Sequence, residues 1–217
     1  MNQPFIRNHQ YNLIKKQIRL LQQTCQTVYD PKVVKSVREN AQARIAEAFP
    51  EAIGPQTEIL EAFLRYDSEE QFRDYLLSLE PYLEEFPRTT EAQLKKLFPK
   101  VKKLKLPDLS AIDFRYVTYL GWLDIATNKQ FLAYPLGGKL VGVEGRFTPT
   151  HKKGTCFVCK KQEEVALFTA VTKSKPANAS PDYYKAIGNY LCVNGEACNR
   201  NITELAALEN FVSDIIK

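Results

Sequence analysis

The sequence is poor in histidine, tryptophan and glycine, with two His, one Trp and nine Gly among 217 residues. Two histidines leave few general bases, and neither His9 nor His151 forms a ligand pair with another histidine. The glycines are not gathered into a phosphate-cradling loop: no G-x-G-x-x-G and no G-x-x-x-x-G-K-[ST] occurs. G-x-S-x-G and H-E-x-x-H are missing too, and nothing assembles a nucleophile, a base and an orienting group. The expectation is a protein that is not an enzyme and has no small-molecule substrate. A run of about 18 uncharged apolar residues, the minimum for a membrane span, is also lacking. The start, MNQPFIRNHQYNLIKK, has no apolar signal core. These absences predict a cytoplasmic protein without a membrane partner.

What is present is enough apolar material for a true core, 44% of residues, in a chain long enough for one or two domains. The net charge of +5 is mild. One basic stretch stands out: Lys95, Lys96, Lys100, Lys102, Lys103 and Lys105. An acidic region from Asp67 to Glu85 answers it. The asymmetry suits an RNA-rich environment or an acidic protein partner, and equally a solvated helix face. Carboxylate pairs such as Glu69-Glu70 and Glu84-Glu85 read as solvated surface.

Residues 7–86 read as helical. Ile14, Ile18, Leu21, Cys25 and Val28 recur at spacings of three and four, which makes Cys25 a core residue. Asp30-Pro31 starts a second helix carrying Val34, Val37, Ala41, Ile45 and Ala48. A third follows from Pro55 to about Arg65. Asp67-Ser68-Glu69-Glu70 caps a fourth with Phe72, Leu76, Leu79 and Leu83, ended near Pro81. Short loops between four helices predict an antiparallel four-helix bundle over 1–86.

Phe86-Pro87-Arg88-Thr89 is the expected boundary to a second domain, 87–217. Thr89 or Thr90 caps a short helix over residues 91–98. Residues 113–147 are rich in aromatic and β-branched residues broken by Thr127-Asn128-Lys129 and Pro135-Leu136-Gly137-Gly138, which predicts an antiparallel meander. Gly121-Trp122 reads as a bulge or close-packing point, with Trp122 in the core. Residues 173–182 read as an exposed loop. One helix is expected from about Cys198 to Ile216. The fold class is therefore α+β: a helical bundle followed by an α/β domain.

Cys156, Cys159, Cys192 and Cys198 fall in the last 62 residues as C-x2-C and C-x5-C. In a cytosolic chain such pairs argue for metal rather than disulfides. The first pair, in GTCFVCKK, reads as a tight knuckle between strands. Cys192 ends a short strand, and Cys198 falls at the expected start of the last helix, where the dipole favours a thiolate. Knuckle, hairpin and helix start describe a treble-clef finger over about residues 152–217, holding one structural zinc. Four thiolates close the coordination shell, so the metal should organise the fold rather than catalyse. Its binding energy is needed if residues 154–217 are as poor in apolar content as they read outside the last helix. A redox C-x-x-C would leave Cys192 and Cys198 idle; His151 in place of one thiol is the other alternative.

HQYNLIKKQIRLL, KKLFPKVKKLKLP, YLGWLDIATNKQFLAY and the segments GTCFVCKK and GNYLCVNGEAC, in this order, resemble the FusB-type fusidic acid resistance proteins, also called elongation factor G-binding proteins. The resemblance covers nearly the whole chain. It implies a helical bundle before an α/β domain with a treble-clef zinc finger, four cysteine ligands, and a monomer that binds elongation factor G. It further implies release of that factor from fusidic acid-stalled ribosomes without modification of the drug, so that the ribosome is an indirect partner. Tyr190 and Phe211 match aromatic residues of the family's binding face. Lys185 lies near, but offset from, a lysine the family uses. Thr155 stands where some members carry an aromatic. The rival expectation is a zinc-finger protein that binds RNA or the ribosome through Lys95–Lys105.

Overall fold

The computed structural model describes residues 3–173, 176, 178, 180 and 182–217. Much of the expected 173–182 loop lies outside the described residues. The chain divides into two compact units, residues 1–84 and 85–217. No helix among the described residues is long and apolar enough to cross a membrane.

The first unit is helical. In α1 (Asn8–Thr27) the side chains of Tyr11, Ile14, Ile18 and Leu21 are buried along one stripe. Cys25 is only half-buried; the stripe continues through Thr24 instead, which corrects its expected place in the core. Asp30 accepts the Lys32 amide at 2.8 Å and Pro31 opens α2 (Pro31–Ala48). Gln10 donates to the last carbonyl of α2, Ala48 O, at 2.7 Å. Gly54, at φ +50°, makes the turn into α3 (Pro55–Glu61), which tightens to a 3₁₀ turn over Ala62–Arg65. Of the carbonyls that end that turn, Phe63 O accepts the Tyr66 amide at 3.1 Å. Arg38, reaching from α2, donates to Phe63 O, Leu64 O and Tyr66 O and pairs with Asp67. Ser68 and Gln71 form a reciprocal cap at the start of α4 (Glu69–Ser78). The Tyr75 hydroxyl, buried under the turn, donates to Leu60 O at 2.8 Å. The ends of the unit meet where Ile6 bridges Leu83.

The second unit is a five-stranded antiparallel sheet in the order β1-β2-β3-β4-β5. Its strands are β1 (Leu120–Asp124), β2 (Lys129–Leu136), β3 (Lys139–Thr155), β4 (Gln162–Val171) and β5 (Ala186–Cys192). The expected meander is thus longer than 113–147. β4 was hidden in a stretch read as poor in apolar residues, yet Val165, Phe168 and Ala170 are buried in the core that holds the cysteines. The β1–β2 turn uses Asn128 in the left-handed region, and Gly137 and Gly138, both at positive φ, turn β2 into β3. A bulge between Pro149 and Lys152 puts His151 at φ +53°.

Alternation with period two covers both faces of the sheet. Leu132 and Tyr134 of β2 join the core under α7 (Ala206–Ile216); Phe131 and Ala133 join the opposite core with Phe86, Phe98 and Trp122. Thr90 and Gln93 cap α5 (Glu91–Leu97) on that second side. Gly121 is a close-packing point, since a Cβ there would lie 2.6 Å from the Tyr119 ring.

The single helix expected from Cys198 to Ile216 is two helices. α6 (Gly195–Asn199) is capped by Asn194, and α7 begins only at Ala206. Ile202 remains fully buried between them, so the apolar spacing persists across a break in the backbone.

Candidate functional site

Cys156 and Cys159 come from the knuckle between β3 and β4, Cys192 from the end of β5 and Cys198 from α6. The knuckle is closed by Lys160 N to Cys156 O and Cys156 N to Lys161 O, both 3.0 Å, with Lys160 at φ +58°. Cys198 is the next-to-last residue of a five-residue helix, which overturns the expected place at a helix start and the dipole argument with it. All four cysteines are buried and unbridged.

Their sulfurs all lie within 4.8 Å of one another. Cys156 and Cys198 are 3.8 Å apart, Cys159 and Cys192 3.6 Å. A tetrahedron with Zn–S bonds of about 2.3 Å has edges of about 3.8 Å. Hydrogen bonds from Cys159, Cys192 and Cys198 hold the Cys156 thiol far below its usual range, while the same thiolate pushes Cys192 and Cys198 up. Four sulfurs this close cannot all ionise against one another; a divalent cation at their centre lets them. The donor set and its size therefore fit one zinc ion. His151 is exposed and outside the cluster.

The next layer fixes α6. Asn199, buried beside Cys198, accepts from Thr118 N and Tyr119 N and donates to Tyr119 O and Gly195 O. The Tyr119 hydroxyl is wholly buried near the Cys198 sulfur and makes no hydrogen bond of ordinary geometry. Burial, and next the Cys198 charge, push its ionisation well above the usual range.

The metal layer carries an aromatic surface. Phe157, between the two knuckle cysteines, donates its amide to Tyr190 O at 2.8 Å, which seats the knuckle on β5. Tyr190 is 52% exposed. Phe211 is only 4% exposed, against its expected place on an open face: its ring packs on Phe157 and Phe168 with centroids 5.0 and 5.7 Å away. Phe157 is the residue the sequence reading missed; the signal was an apolar residue inside a C-x2-C knuckle, where nothing local buries it. Thr155 is exposed at the end of β3 and accepts from Gln162. Lys185 is exposed just before β5, five residues from Tyr190 and so roughly 17 Å along an extended chain. The structure does not bring those two together. Tyr184, beside Lys185, is 73% exposed and had no place in the sequence reading.

Residues 5–87 match the family described as "Elongation factor G-binding protein, N-terminal", and residues 96–214 match "FBP C-terminal treble-clef zinc-finger". Among solved structures, one titled "Structure of the fusidic acid resistance protein FusC" is similar at 27% identity and a TM-score of 0.80, over 97% of both chains. No curated protein matches the chain.

Proposed function

Because the chain belongs to the FBP treble-clef zinc-finger family and carries the N-terminal domain of the elongation factor G-binding proteins, we propose that it binds elongation factor G and releases it from fusidic acid-stalled ribosomes. In this reading it is a non-enzymatic monomer of the cytoplasm, and fusidic acid resistance or tolerance follows from release, not from change to the drug. Cys156, Cys159, Cys192 and Cys198 are the ligands of its structural zinc.

The observation that supports this most is the Tyr190–Phe157 pair. A half-exposed tyrosine two residues from one zinc-binding position is joined by its own carbonyl to the residue between two others. Such a rigid aromatic loses little entropy on docking and suits the centre of a protein interface. Phe211 props Phe157 from beneath; Lys185 and Thr155 sit toward the rim, where a side chain contributes less. A bound partner shifts an equilibrium only by its different affinity for two states. Release therefore needs tighter binding to the free factor's conformation than to the ribosome-held one.

Calorimetric titration of purified elongation factor G tests the binding, with Tyr190→Ala expected to weaken it at least tenfold and Thr155→Ala much less. Absence of binding at micromolar concentrations overturns the reading. A fusidic acid-inhibited translation assay, with and without the protein, tests release.

A further inference from the structure

The six lysines of residues 95–105 are not spread over one helix face. Lys95 and Lys96 lie on the last turn of α5; Lys100, Lys102, Lys103 and Lys105 follow on an irregular segment. That segment is anchored from below. Val101, Leu104 and Leu106 pack on the core of Phe98, Trp122 and Phe131, Val101 N donates to Phe98 O, and the Trp122 indole donates to Lys105 O at 2.9 Å. With the apolar residues drawn inward, all six lysines stay exposed.

The ribbon is electrostatically uncompensated. Lys95 pairs with Glu91; the other five have no ion pair among the described residues. No Asp or Glu occurs between 92 and 107. If these six are set aside from the 30 Lys and Arg of the chain, the remainder falls just below its 25 Asp and Glu. The whole positive excess thus sits in eleven residues.

We propose that this ribbon is a binding surface for the phosphate backbone of RNA, distinct from the aromatic surface at the zinc knuckle and independent of elongation factor G. Charge alone fits an acidic protein as well; the apolar content decides. Protein interfaces centre on exposed aromatic, Met and Arg anchors and are depleted in lysine. None of the described large apolar side chains of the ribbon is exposed, and it has no arginine. Lysines as point charges over a rigid base match phosphates, which require position but no base reading.

The test is fluorescence anisotropy of a labelled RNA hairpin with the full chain, across salt from about 50 to about 200 mM, where log affinity falls with a slope of about 0.9 per duplex phosphate neutralised. The variant K100Q/K102Q/K103Q/K105Q is expected to bind at least tenfold more weakly at the lowest salt and to lose about 3 from the slope. It should keep the wild-type melting temperature and elongation factor G affinity. The matched variant K16Q/K32Q/K139Q/K153Q, exposed lysines elsewhere, should bind RNA within about twofold of wild type. Three results overturn the proposal: no RNA binding at the lowest salt, equal loss in the matched variant, or polyglutamate competing as well as unlabelled RNA, which would identify an acidic protein partner.

Discussion

Asn199 and Tyr119 are joined in both directions. The Asn199 amide accepts the Tyr119 N–H at 3.2 Å and donates to the Tyr119 carbonyl at 2.9 Å. One side chain does for the approach to β1 what a neighbouring strand would do, and it belongs to the residue that follows Cys198. Asn199→Ala leaves several buried backbone groups unpaired. It should cost about 3 kcal/mol, since each such group costs about 1–3 kcal/mol. Urea unfolding followed by Trp122 fluorescence measures it, because the one tryptophan lies in this unit. A midpoint unchanged from wild type would show that water replaces the clamp.

Tyr119→Phe removes a hydroxyl that faces sulfur. A phenol near a metal-bound thiolate steadies its charge. The variant should therefore lose zinc to a chromophoric chelator sooner than wild type, with a tenfold change in affinity as the upper end. A substituted Co(II) spectrum identical to that of wild type, with equal competition, would place the hydroxyl outside the metal's reach.

Metal removal should act on one unit. The sulfurs sit inside the same core as Val165, Phe168, Leu208 and Val212, so stripping zinc opens that core. Chelation should abolish the cooperative Trp122 transition while most of the far-UV helical signal from α1, α2 and α4 persists. Cys198→Ser should give the same outcome at lower chelator concentration. Wild-type protein should hold one zinc per chain by atomic emission.

His9 lies in the first turn of α1, where burial, and secondarily Arg7, lower its pKa to about 4 from 6.5. The unfolded chain therefore binds a proton that the folded chain refuses. Stability from this group is complete above about pH 6.5 and declines as pH falls toward 4. Thermal melts of wild type and His9→Gln should diverge over that window, with the wild type losing more. Parallel curves would remove His9 as the cause.

Arg38 organises the end of the 3₁₀ turn beyond its one local cap, the Tyr66 amide on Phe63 O. Arg38→Met keeps much of the stem but takes the guanidinium donor from Leu64 O and Tyr66 O, and from Phe63 O, which keeps the Tyr66 amide. It should destabilise the first unit by about 2–3 kcal/mol. Arg38→Lys should recover only part, since an ammonium cannot spread over three acceptors as a guanidinium does. Urea unfolding followed by far-UV circular dichroism, where the helices of this unit dominate, measures both; a wild-type midpoint for Arg38→Lys would remove the fork geometry as the cause.

What could be read from the chain depends on how local the physics is. The cap within Asp67–Glu70, the Thr89 or Thr90 cap, the Asp30-Pro31 start and the Gly137-Gly138 turn need only neighbours, and each is found, with Ser68 and Thr90 supplying the two caps. The cysteines were legible because four buried thiols have few other uses. The break between α6 and α7 was not, since Ile202, Leu205 and Leu208 keep a helical spacing through it. β4 was missed because Val165, Phe168 and Ala170 are buried by a face of the sheet that the segment does not itself contain. Phe211 looked exposable because a stripe on a helix does not say what covers it; Phe157 does, from 54 residues away.

The strand order has a kinetic meaning. Every strand pairs with its neighbour in sequence, so the sheet can grow hairpin by hairpin, with short loops to close between β1, β2, β3 and β4 and a longer one before β5. The costly closure is left to the end of the chain. Residues 118 and 119 must wait for Asn199, and Cys156 for Cys198, which sit far apart in sequence. The early hairpins can therefore pair before the contacts of the last residues exist. Zinc then secures the contacts that form last, and a cell short of the metal would accumulate chains whose second unit never completes its core.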